Sequence, residues 1–197
     1  MFKLGVTGSI GAGKSTVTRR LAELGAVVSN SDDLAKSILF SDAEIQRLLV
    51  RRFGTEILDD SGHLSREKLA AAAFQDKAGQ DFLNELLHPR VRQATRERMI
   101  TAEKSGVKLF VVDAPLIFET GLDRELDAVL VVSAPRDLRK ARVQQRSGIS
   151  SADFMARNAL QWPQARKEAR ADYVIRNDDS EEMLFRRVDT VFQKLPL

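Results

Sequence analysis

Residues 8–16 read Gly-Ser-Ile-Gly-Ala-Gly-Lys-Ser-Thr and follow directly on an apolar run of alternating Phe2, Leu4 and Val6. They complete the pattern G-x-x-x-x-G-K-[ST] between a predicted strand and a predicted helix. Glycines allow a tight turn whose N–H groups point at phosphate oxygens, and the helix dipole adds positive potential. Lys14 is suited to reach the β and γ phosphates, and the Ser15 hydroxyl is suited to bind magnesium. The stretch therefore predicts a nucleoside triphosphate site; the alternative is a glycine-rich turn without a ligand.

Composition limits the class of protein. The chain has 197 residues, of which 43% are hydrophobic and 30% charged, which is typical of one globular domain or one domain with an insertion. It contains no cysteine, which excludes a disulfide framework and thiolate chemistry. The first strand leaves no room for a signal peptide, and no apolar run has membrane-spanning length. We expect a cytoplasmic protein with no membrane partner, either a monomer or a weak homo-oligomer.

Basic residues are concentrated in one segment. Residues 136–170 contain nine Lys or Arg side chains against three acidic ones, whereas the whole chain has a net charge of only +3. Aromatic side chains, which stack on bases, make up 6% of the chain, so a nucleic-acid partner is not expected. We interpret the segment as a lid of two helical pieces, with Ser150 and Asp153 at a helix start, that closes over bound phosphates. Solvated helix faces are the alternative for most of these side chains.

Five short apolar runs predict the strands of an α/β fold. The four that follow Phe2–Val6 are at residues 26–29, 109–112, 128–132 and 173–175, and helical stretches separate them. Continuous apolar runs are typical of parallel strands covered on both faces, so we predict a P-loop NTPase-type parallel five-stranded sheet flanked by helices. Ligands bind beyond the carboxyl ends of such strands. The following polar positions should therefore gather at one edge: Gly8, Asp32, Asp113, Ser133 and Asn177.

More than seventy residues separate the second and third strands, far more than one crossover helix needs. We predict a helical acceptor-binding insertion at 36–106 within a nucleotide-binding core of 1–35 and 107–197, with the lid at about 136–170. A capping box at Ser41–Glu44 should begin a helix that stops at Gly54. Further helices are predicted around 69–74, 82–87 and 91–102.

Two aspartates are candidates for chemistry. Asp32 follows the second strand, where a carboxylate is suited to accept the proton of an acceptor hydroxyl. A helix N-cap before Leu34 is the alternative role, and Asp33 is the rival base. Asp113 follows the third strand, where a carboxylate commonly holds magnesium, but a turn residue before Pro115 fits nearly as well.

Lid arginines are candidates to neutralise charge on the transferred phosphoryl group. We favour Arg142 or Arg146, which share one helix face, over Arg139 and Arg157. For Trp162 we favour packing within the lid over stacking on a base. Neither His63 nor His88 has the partner spacing of a metal site.

The ordered set of motifs resembles the dephospho-CoA kinase family over nearly the whole chain. The resemblance implies ATP-dependent phosphorylation of the ribose 3′-hydroxyl of dephospho-coenzyme A with magnesium, the last step of coenzyme A synthesis. It implies Asp32 as the catalytic aspartate, an insertion that binds the pantetheine and adenosine portions, and Arg66 and His88 as acceptor contacts. The matching stretches are Leu4–Thr16, Asp32 with Leu34-Ala35, Phe53-Gly54, Gly62–Arg66, Leu86–Pro89, Pro115–Glu119, and Ala171–Ile175 followed by Asn177.

On these grounds we assign Asp32, Lys14, Arg142 and Arg146 to catalysis, with Asp32 also contacting the acceptor and Ser15 and Asp113 holding magnesium. The residues assigned to ATP binding are Gly11, Ala12, Gly13, Lys14, Ser15, Thr16 and Asn177.

The chain departs from the family pattern at three places. Asn30 replaces the first acid of an Asp-Ala-Asp run, and Leu160–Pro163 reads Leu-Gln-Trp-Pro in place of Ala-Gln-Met-Pro. Asp113 stands where the family is not dependably acidic.

Two other functions remain open from the sequence. One is a kinase for a nucleoside, a nucleotide or a sugar acid, and the other is a nucleotide-dependent switch, although no Asn-Lys-x-Asp guanine signature is present.

Overall fold

The computed structural model describes residues 1–197. Its strands are β1 (Phe2–Thr7), β2 (Val27–Asn30), β3 (Leu109–Asp113), β4 (Ala128–Ser133) and β5 (Tyr173–Arg176). Its helices are α1 (Lys14–Glu23), α2 (Ser31–Ser41), α3 (Ala43–Phe53), α4 (Arg66–Ala73), α5 (Lys77–Lys104), α6 (Arg136–Ser147), α7 (Ser151–Ala159), α8 (Gln164–Glu168) and α9 (Glu181–Phe192). No helix combines the length and the apolar composition needed to cross a lipid bilayer.

The five strands form one parallel sheet in the order β2-β3-β1-β4-β5, which confirms the predicted fold class. Every residue of β3 and β4 is buried, as continuous apolar runs require when helices cover both faces. The central strand β1 pairs with β3 on one side and β4 on the other. The loop after β1 is therefore built on the central strand of the sheet.

The largest core cluster packs α1 and α9 against the sheet. Val17 and Leu21 of α1 meet Leu4 of β1 and Val188 of α9, all with 0% exposure. The helix α9 begins at Ser180, whose side chain accepts a hydrogen bond from the Met183 amide. This cluster fixes the start of α1, and with it the end of the phosphate loop.

Residue contacts divide the chain into two compact units, one of Met1–Asn30 with Met99–Leu197 and the other of Ser31–Arg98. The second unit is helical and has its own core, in which Ile45, Leu49 and Ile57 are fully buried. Phe53 and Phe82 meet edge to face with ring centroids 5.8 Å apart. Enough apolar side chains face inward for the unit to hold a core separate from the sheet.

Two local predictions in this unit were wrong. The N-cap of α3 is Asp42, whose Oδ1 accepts from the Glu44 and Ile45 amides, whereas Ser41 still belongs to α2. The separate helices predicted around 82–87 and 91–102 are one helix, α5, which runs through Pro89. A proline cannot donate to the carbonyl four residues earlier, but Glu85 and Pro89 both lie on an exposed face of the helix. Water is available there to satisfy the carbonyl that has no amide donor.

The predicted lid contains three helices, α6 to α8, in place of the two expected. A reciprocal capping box between Ser150 and Asp153 starts α7, as the sequence predicted. Gly148 ends α6 in a left-handed conformation with φ of 63°.

Candidate active site

The phosphate loop connects β1 to α1. Gly13 is the N-cap of α1 in a left-handed conformation with φ of 94°, and no side chain caps the helix. The first amides of α1 are therefore available to an anion. A Cβ on Gly13 would lie 2.1 Å from Nδ2 of Asn177, so no larger residue fits this position without displacing Asn177.

Hydrogen bonds connect Arg142 to Asn177 and Asn177 to the phosphate loop. The Asn177 Nδ2 donates to the Ala12 carbonyl at 2.8 Å. Arg142 donates from Nη1 to the Asn177 carbonyl at 3.0 Å and from Nη2 to its Oδ1 at 3.3 Å. The two favoured arginines are thus in different environments, since Arg142 is half-buried against Asn177 and Arg146 is exposed.

Arg139 is almost completely buried, at 4% exposure, and desolvation by burial lowers its pKa, with a smaller contribution from the charge of Arg136. Its Nη1 donates to the Ile10 carbonyl of the loop at 3.1 Å. On the other side of the same residue, the Ile10 amide donates to Oε1 of Gln161 at 2.9 Å. Arg157, by contrast, is exposed. The sequence analysis favoured Arg142 and Arg146 over Arg139 and did not predict that Arg139 and Gln161 both contact the loop.

Lys14 is half-buried and Ser15 exposed at the first turn of α1.

The carboxyl edge of the sheet gathers four of the five predicted positions. Gly8 follows β1, Asp113 ends β3, Ser133 ends β4, and the Asn177 amide donates to the Ser133 carbonyl at 2.7 Å.

Asn30 and Asp113 face each other across β2 and β3. They are register partners, and the Asn30 Nδ2 donates to Oδ2 of Asp113 at 3.0 Å. Asp113 is 4% exposed. The replacement of an acid by Asn30 therefore supplies a donor to a buried carboxylate.

Asp32 and Asp33 lie in the first turn of α2, which belongs to the helical unit. Both are exposed, but the Asp33 carboxylate pairs with Lys36 Nζ at 3.1 Å on the helix surface. The carboxylate of Asp33 is therefore engaged in this ion pair with Lys36, which distinguishes it from the carboxylate of Asp32.

The two residues matched to acceptor contacts also lie in the helical unit. Arg66 is the exposed first residue of α4, and His88 is within α5. The pKa of His88 is lowered, first because neighbouring atoms displace water from the ring and second because Arg92 is close by.

A buried ion pair was missed by the sequence reasoning. Lys167 of α8 is fully buried, and its Nζ lies 2.9 Å from Oε1 of Glu119 and donates to the Pro115 carbonyl at 2.6 Å. Burial lowers the pKa of Lys167, Glu119 opposes that shift, and the charge of Lys14 lowers it slightly further. The same Glu119 oxygen accepts from the Trp162 amide at 2.7 Å.

The Trp162 ring packs against other side chains, as we favoured, but its partners include Phe118, which lies outside the predicted lid. It stacks on Phe118 with centroids 6.1 Å apart and an interplanar angle of 12°, and the Arg166 guanidinium lies 3.5 Å from its centroid. Two of its neighbours are therefore a ring and a cation, which suits a structural position.

A family model described as dephospho-CoA kinase matches residues 2–182 of the chain. A dephospho-CoA kinase of Geobacillus kaustophilus is 36% identical over 191 residues, which cover 97% of this chain and 95% of that protein. A Thermus thermophilus crystal structure superposes with a TM-score of 0.79 at 33% identity, covering 100% of this chain and 98% of the other. The structure of a Campylobacter jejuni dephospho-CoA kinase gives a TM-score of 0.69 at 27% identity, covering 98% and 96%.

Proposed function

The chain belongs to the dephospho-CoA kinase family, and we propose that it transfers the γ-phosphoryl group of ATP to the ribose 3′-hydroxyl of dephospho-coenzyme A. The products are coenzyme A and ADP, so the enzyme performs the last step of coenzyme A synthesis. The observation that carries this conclusion is the family match over residues 2–182, which includes every motif quoted above. It favours this substrate over a nucleoside or sugar acid, and it favours an enzyme over a switch.

The main chain and side chains of Gly11–Thr16 bind the triphosphate in this proposal. The uncapped start of α1 and the left-handed Gly13 support this role, because both leave amide donors for phosphate oxygens. Lys14, at the same helix terminus, neutralises charge that builds up on the β and γ phosphates in the transition state. Asn177 contributes by holding the Ala12 carbonyl away from the anion.

Asp32 is the proposed base. Its carboxylate accepts the proton of the 3′-hydroxyl while that oxygen attacks the γ-phosphorus and the bond to the β-γ bridging oxygen breaks. Two observations support Asp32 over Asp33: Asp33 is paired with Lys36, and Asp32 is exposed in the first turn of α2. Exposure leaves the carboxylate open to a substrate.

The residues present also fit magnesium. Hydroxyl and carboxylate oxygens are the hard donors that this ion prefers, and Ser15 and Asp113 supply one of each. Magnesium binds through few protein ligands together with water and phosphate oxygens, so a dedicated protein cage is not required. When bound, the ion supplies positive charge to the β and γ phosphates.

We assign different roles in the lid to Arg142 and Arg146. Arg142 is bound to Asn177 behind the phosphate loop, which supports a role in keeping Asn177 in place as well as in supplying positive charge. Arg146 lies one turn further along α6 and is exposed, so its guanidinium is accessible to a phosphate group. One arginine of this kind contributes about 10³ to 10⁵ in rate.

The helical insertion 36–106 is the proposed acceptor-binding part, with Arg66 and His88 as contacts. A cavity of about 420 Å³ within the helical unit is a candidate surface for part of the acceptor, although neither Arg66 nor His88 lines it; its lining combines Arg52, Lys68 and the Phe53 ring with the acidic Glu56 and Asp76. Arg52 lies over the Phe53 ring at 5.4 Å, and Lys68 lines the same cavity. The two cations and the ring suit the phosphates and the adenine of the acceptor, whereas the two carboxylates oppose a phosphate close to them.

The test begins with purified protein, ATP, magnesium and a panel of dephospho-coenzyme A, nucleoside monophosphates and gluconate. We expect turnover with dephospho-coenzyme A alone; turnover restricted to the other acceptors contradicts the proposal. Omission of magnesium should abolish activity in the same assay.

The residue roles are tested with a matched pair, Asp32→Asn and Asp33→Asn. We expect the first to lose most of kcat while the Kd for ATP is unchanged, and the second to stay near wild type. Lys14→Ala should damage both constants. Near-normal turnover by Asp32→Asn removes that residue as the base.

A further inference from the structure

Two lid residues hold the main chain of Ile10, just ahead of the amides that receive the triphosphate. The Ile10 N–H donates to Oε1 of Gln161 at 2.9 Å, and the Ile10 carbonyl accepts from Nη1 of Arg139 at 3.1 Å. Arg139 belongs to α6 and Gln161 to the connection between α7 and α8. Both bonds cross between segments more than a hundred residues apart in sequence.

These two bonds fix two consecutive peptide planes. Because a trans peptide is planar, its N–H and C=O point in opposite directions. Arg139, by binding the Ile10 carbonyl, aims the Gly11 N–H away from the guanidinium. Gln161, by binding the Ile10 N–H, fixes the peptide whose Ser9 carbonyl accepts from the Ala12 amide at 3.0 Å. The orientation of the first loop amides thus depends on the lid side chains.

Arg139 is held rigidly in this position. Its Nε donates to the Ala134 carbonyl at 3.1 Å, and its Nη1 also donates to Oδ1 of Asn158 at 2.9 Å. The guanidinium lies 5.9 Å from the Phe154 ring centroid. Asn158 and Phe154 are both on α7, so the same guanidinium joins α7 to the phosphate loop.

Gln161 is held by its neighbour. The Trp162 amide donates to the Glu119 carboxylate at 2.7 Å, and its ring stacks on Phe118. The Gln161 amide itself donates to the Asn158 carbonyl at 3.3 Å. Because its backbone is fixed on both sides, the Gln161 side chain binds Ile10 at the cost of its own rotamer entropy, without a further cost for ordering the main chain.

We propose that Gln161 and Arg139 are positioning residues for ATP, which act through the Ile10 peptide to arrange the phosphate-binding amides before the nucleotide arrives. Neither residue contacts the reacting atoms. The proposal rests on the proposed function only in taking Gly11–Thr16 as the triphosphate site. Loss of the Gln161 acceptor should therefore weaken nucleotide binding without affecting the acceptor substrate.

The test uses Gln161→Met, which keeps the length of the side chain but removes the acceptor. Gln161 is half-buried, so the variant is expected to fold, whereas Arg139 has buried contacts whose loss would confuse the result. Gln144→Met is the matched control, because Gln144 donates to Ser151 within the same lid and has no bond to the loop. Calorimetry with ATP alone gives Kd, and steady-state kinetics give kcat and both KM values.

We expect Gln161→Met to raise the Kd and the KM for ATP by about threefold to tenfold, the range that one lost hydrogen bond explains. The KM for dephospho-coenzyme A and the melting temperature should stay near wild type, and Gln144→Met should change none of these values. An unchanged Kd for ATP, an equal rise for both substrates, or an equal effect in Gln144→Met overturns the proposal. Since Kd is measured without an acceptor, failure of dephospho-coenzyme A as substrate would leave this result intact.

Discussion

Replacement of Lys167 by methionine tests whether the buried pair with Glu119 holds the predicted lid, residues 136–170, onto the segment that contains Glu119. The side chain of Lys167 is 0% exposed and that of Glu119 13%, so little water is available to either charge. Lys167→Met leaves the Glu119 carboxylate buried with the Trp162 amide as its remaining donor, and the Pro115 carbonyl loses a donor as well. Removing one partner of a buried ion pair costs about 3–5 kcal/mol.

That loss is a large share of a total free energy of unfolding of about 5–15 kcal/mol. Urea unfolding, followed by far-UV circular dichroism and by the fluorescence of Trp162, measures it. The two probes should coincide if unfolding is two-state. Because the chain contains a single tryptophan, the fluorescence reports on the contact of Trp162 with Phe118 and Glu119, next to the ion pair.

The control is the double variant Lys167→Met with Glu119→Gln. It removes both charges and keeps an acceptor for the Trp162 amide, so it should recover stability to within about 1–2 kcal/mol of wild type. A single variant that loses less than about 1 kcal/mol, or a double variant as unstable as the single one, refutes the reasoning.

The pair also predicts a pH dependence. Burial lowers the pKa of Lys167 below its ordinary 10.5, so the unfolded chain binds this proton more tightly than the folded one. Between the lowered pKa and 10.5, the free energy of unfolding of the wild type should therefore rise with pH relative to the double variant. A relative fall over that interval contradicts the assigned environment of Lys167.

Two further substitutions test the phosphate loop and the sheet edge. Gly13→Ala should weaken ATP binding more than tenfold by calorimetry, because its Cβ would lie 2.1 Å from Asn177, whereas Gly25→Ala, with a similar φ of 96° and nothing within 4 Å, should leave binding intact. Equal ATP affinity of the two variants would contradict this prediction, because it would show that Asn177 moves aside without loss of binding. Asn30→Asp removes a donor from the buried Asp113 carboxylate and should cost about 1–3 kcal/mol in thermal unfolding. Adding Asp113→Asn should restore stability, and a double variant no more stable than the single one would count against a direct interaction.

The strands were predictable because their signal is local. Buried parallel strands such as Leu109–Asp113 and Ala128–Ser133 must be apolar throughout, and their order along the chain fixes an α/β sheet. The phosphate loop was predictable for the same reason, since its glycines and Lys14 are contiguous. What the local pattern did not predict was the continuity of α5 through Pro89, because it depends on which face of the helix meets water.

The supporting residues of the site were not predictable from spacing. Lys167 is an ordinary charged residue in the sequence, and its burial depends on Pro115, 52 residues earlier. Arg139, Arg142 and Arg146 lie on one basic helix, and only their tertiary partners, Ile10 and Asn177, separate them. The sequence therefore identifies groups that carry chemistry more readily than groups that hold them in place. The base Asp32 and the magnesium ligands remain predictions.

The position of β1 in the middle of the sheet has a consequence for how the protein opens. Amide protons of Leu4 and Val6, which are fully buried in a strand that pairs with β3 on one side and β4 on the other, should exchange with deuterium only when the whole molecule unfolds. The short outer strands β2 and β5 can fray at much lower cost. Local unfolding of the outer strands would therefore leave the phosphate loop folded. The loop should lose its structure only when the whole protein unfolds.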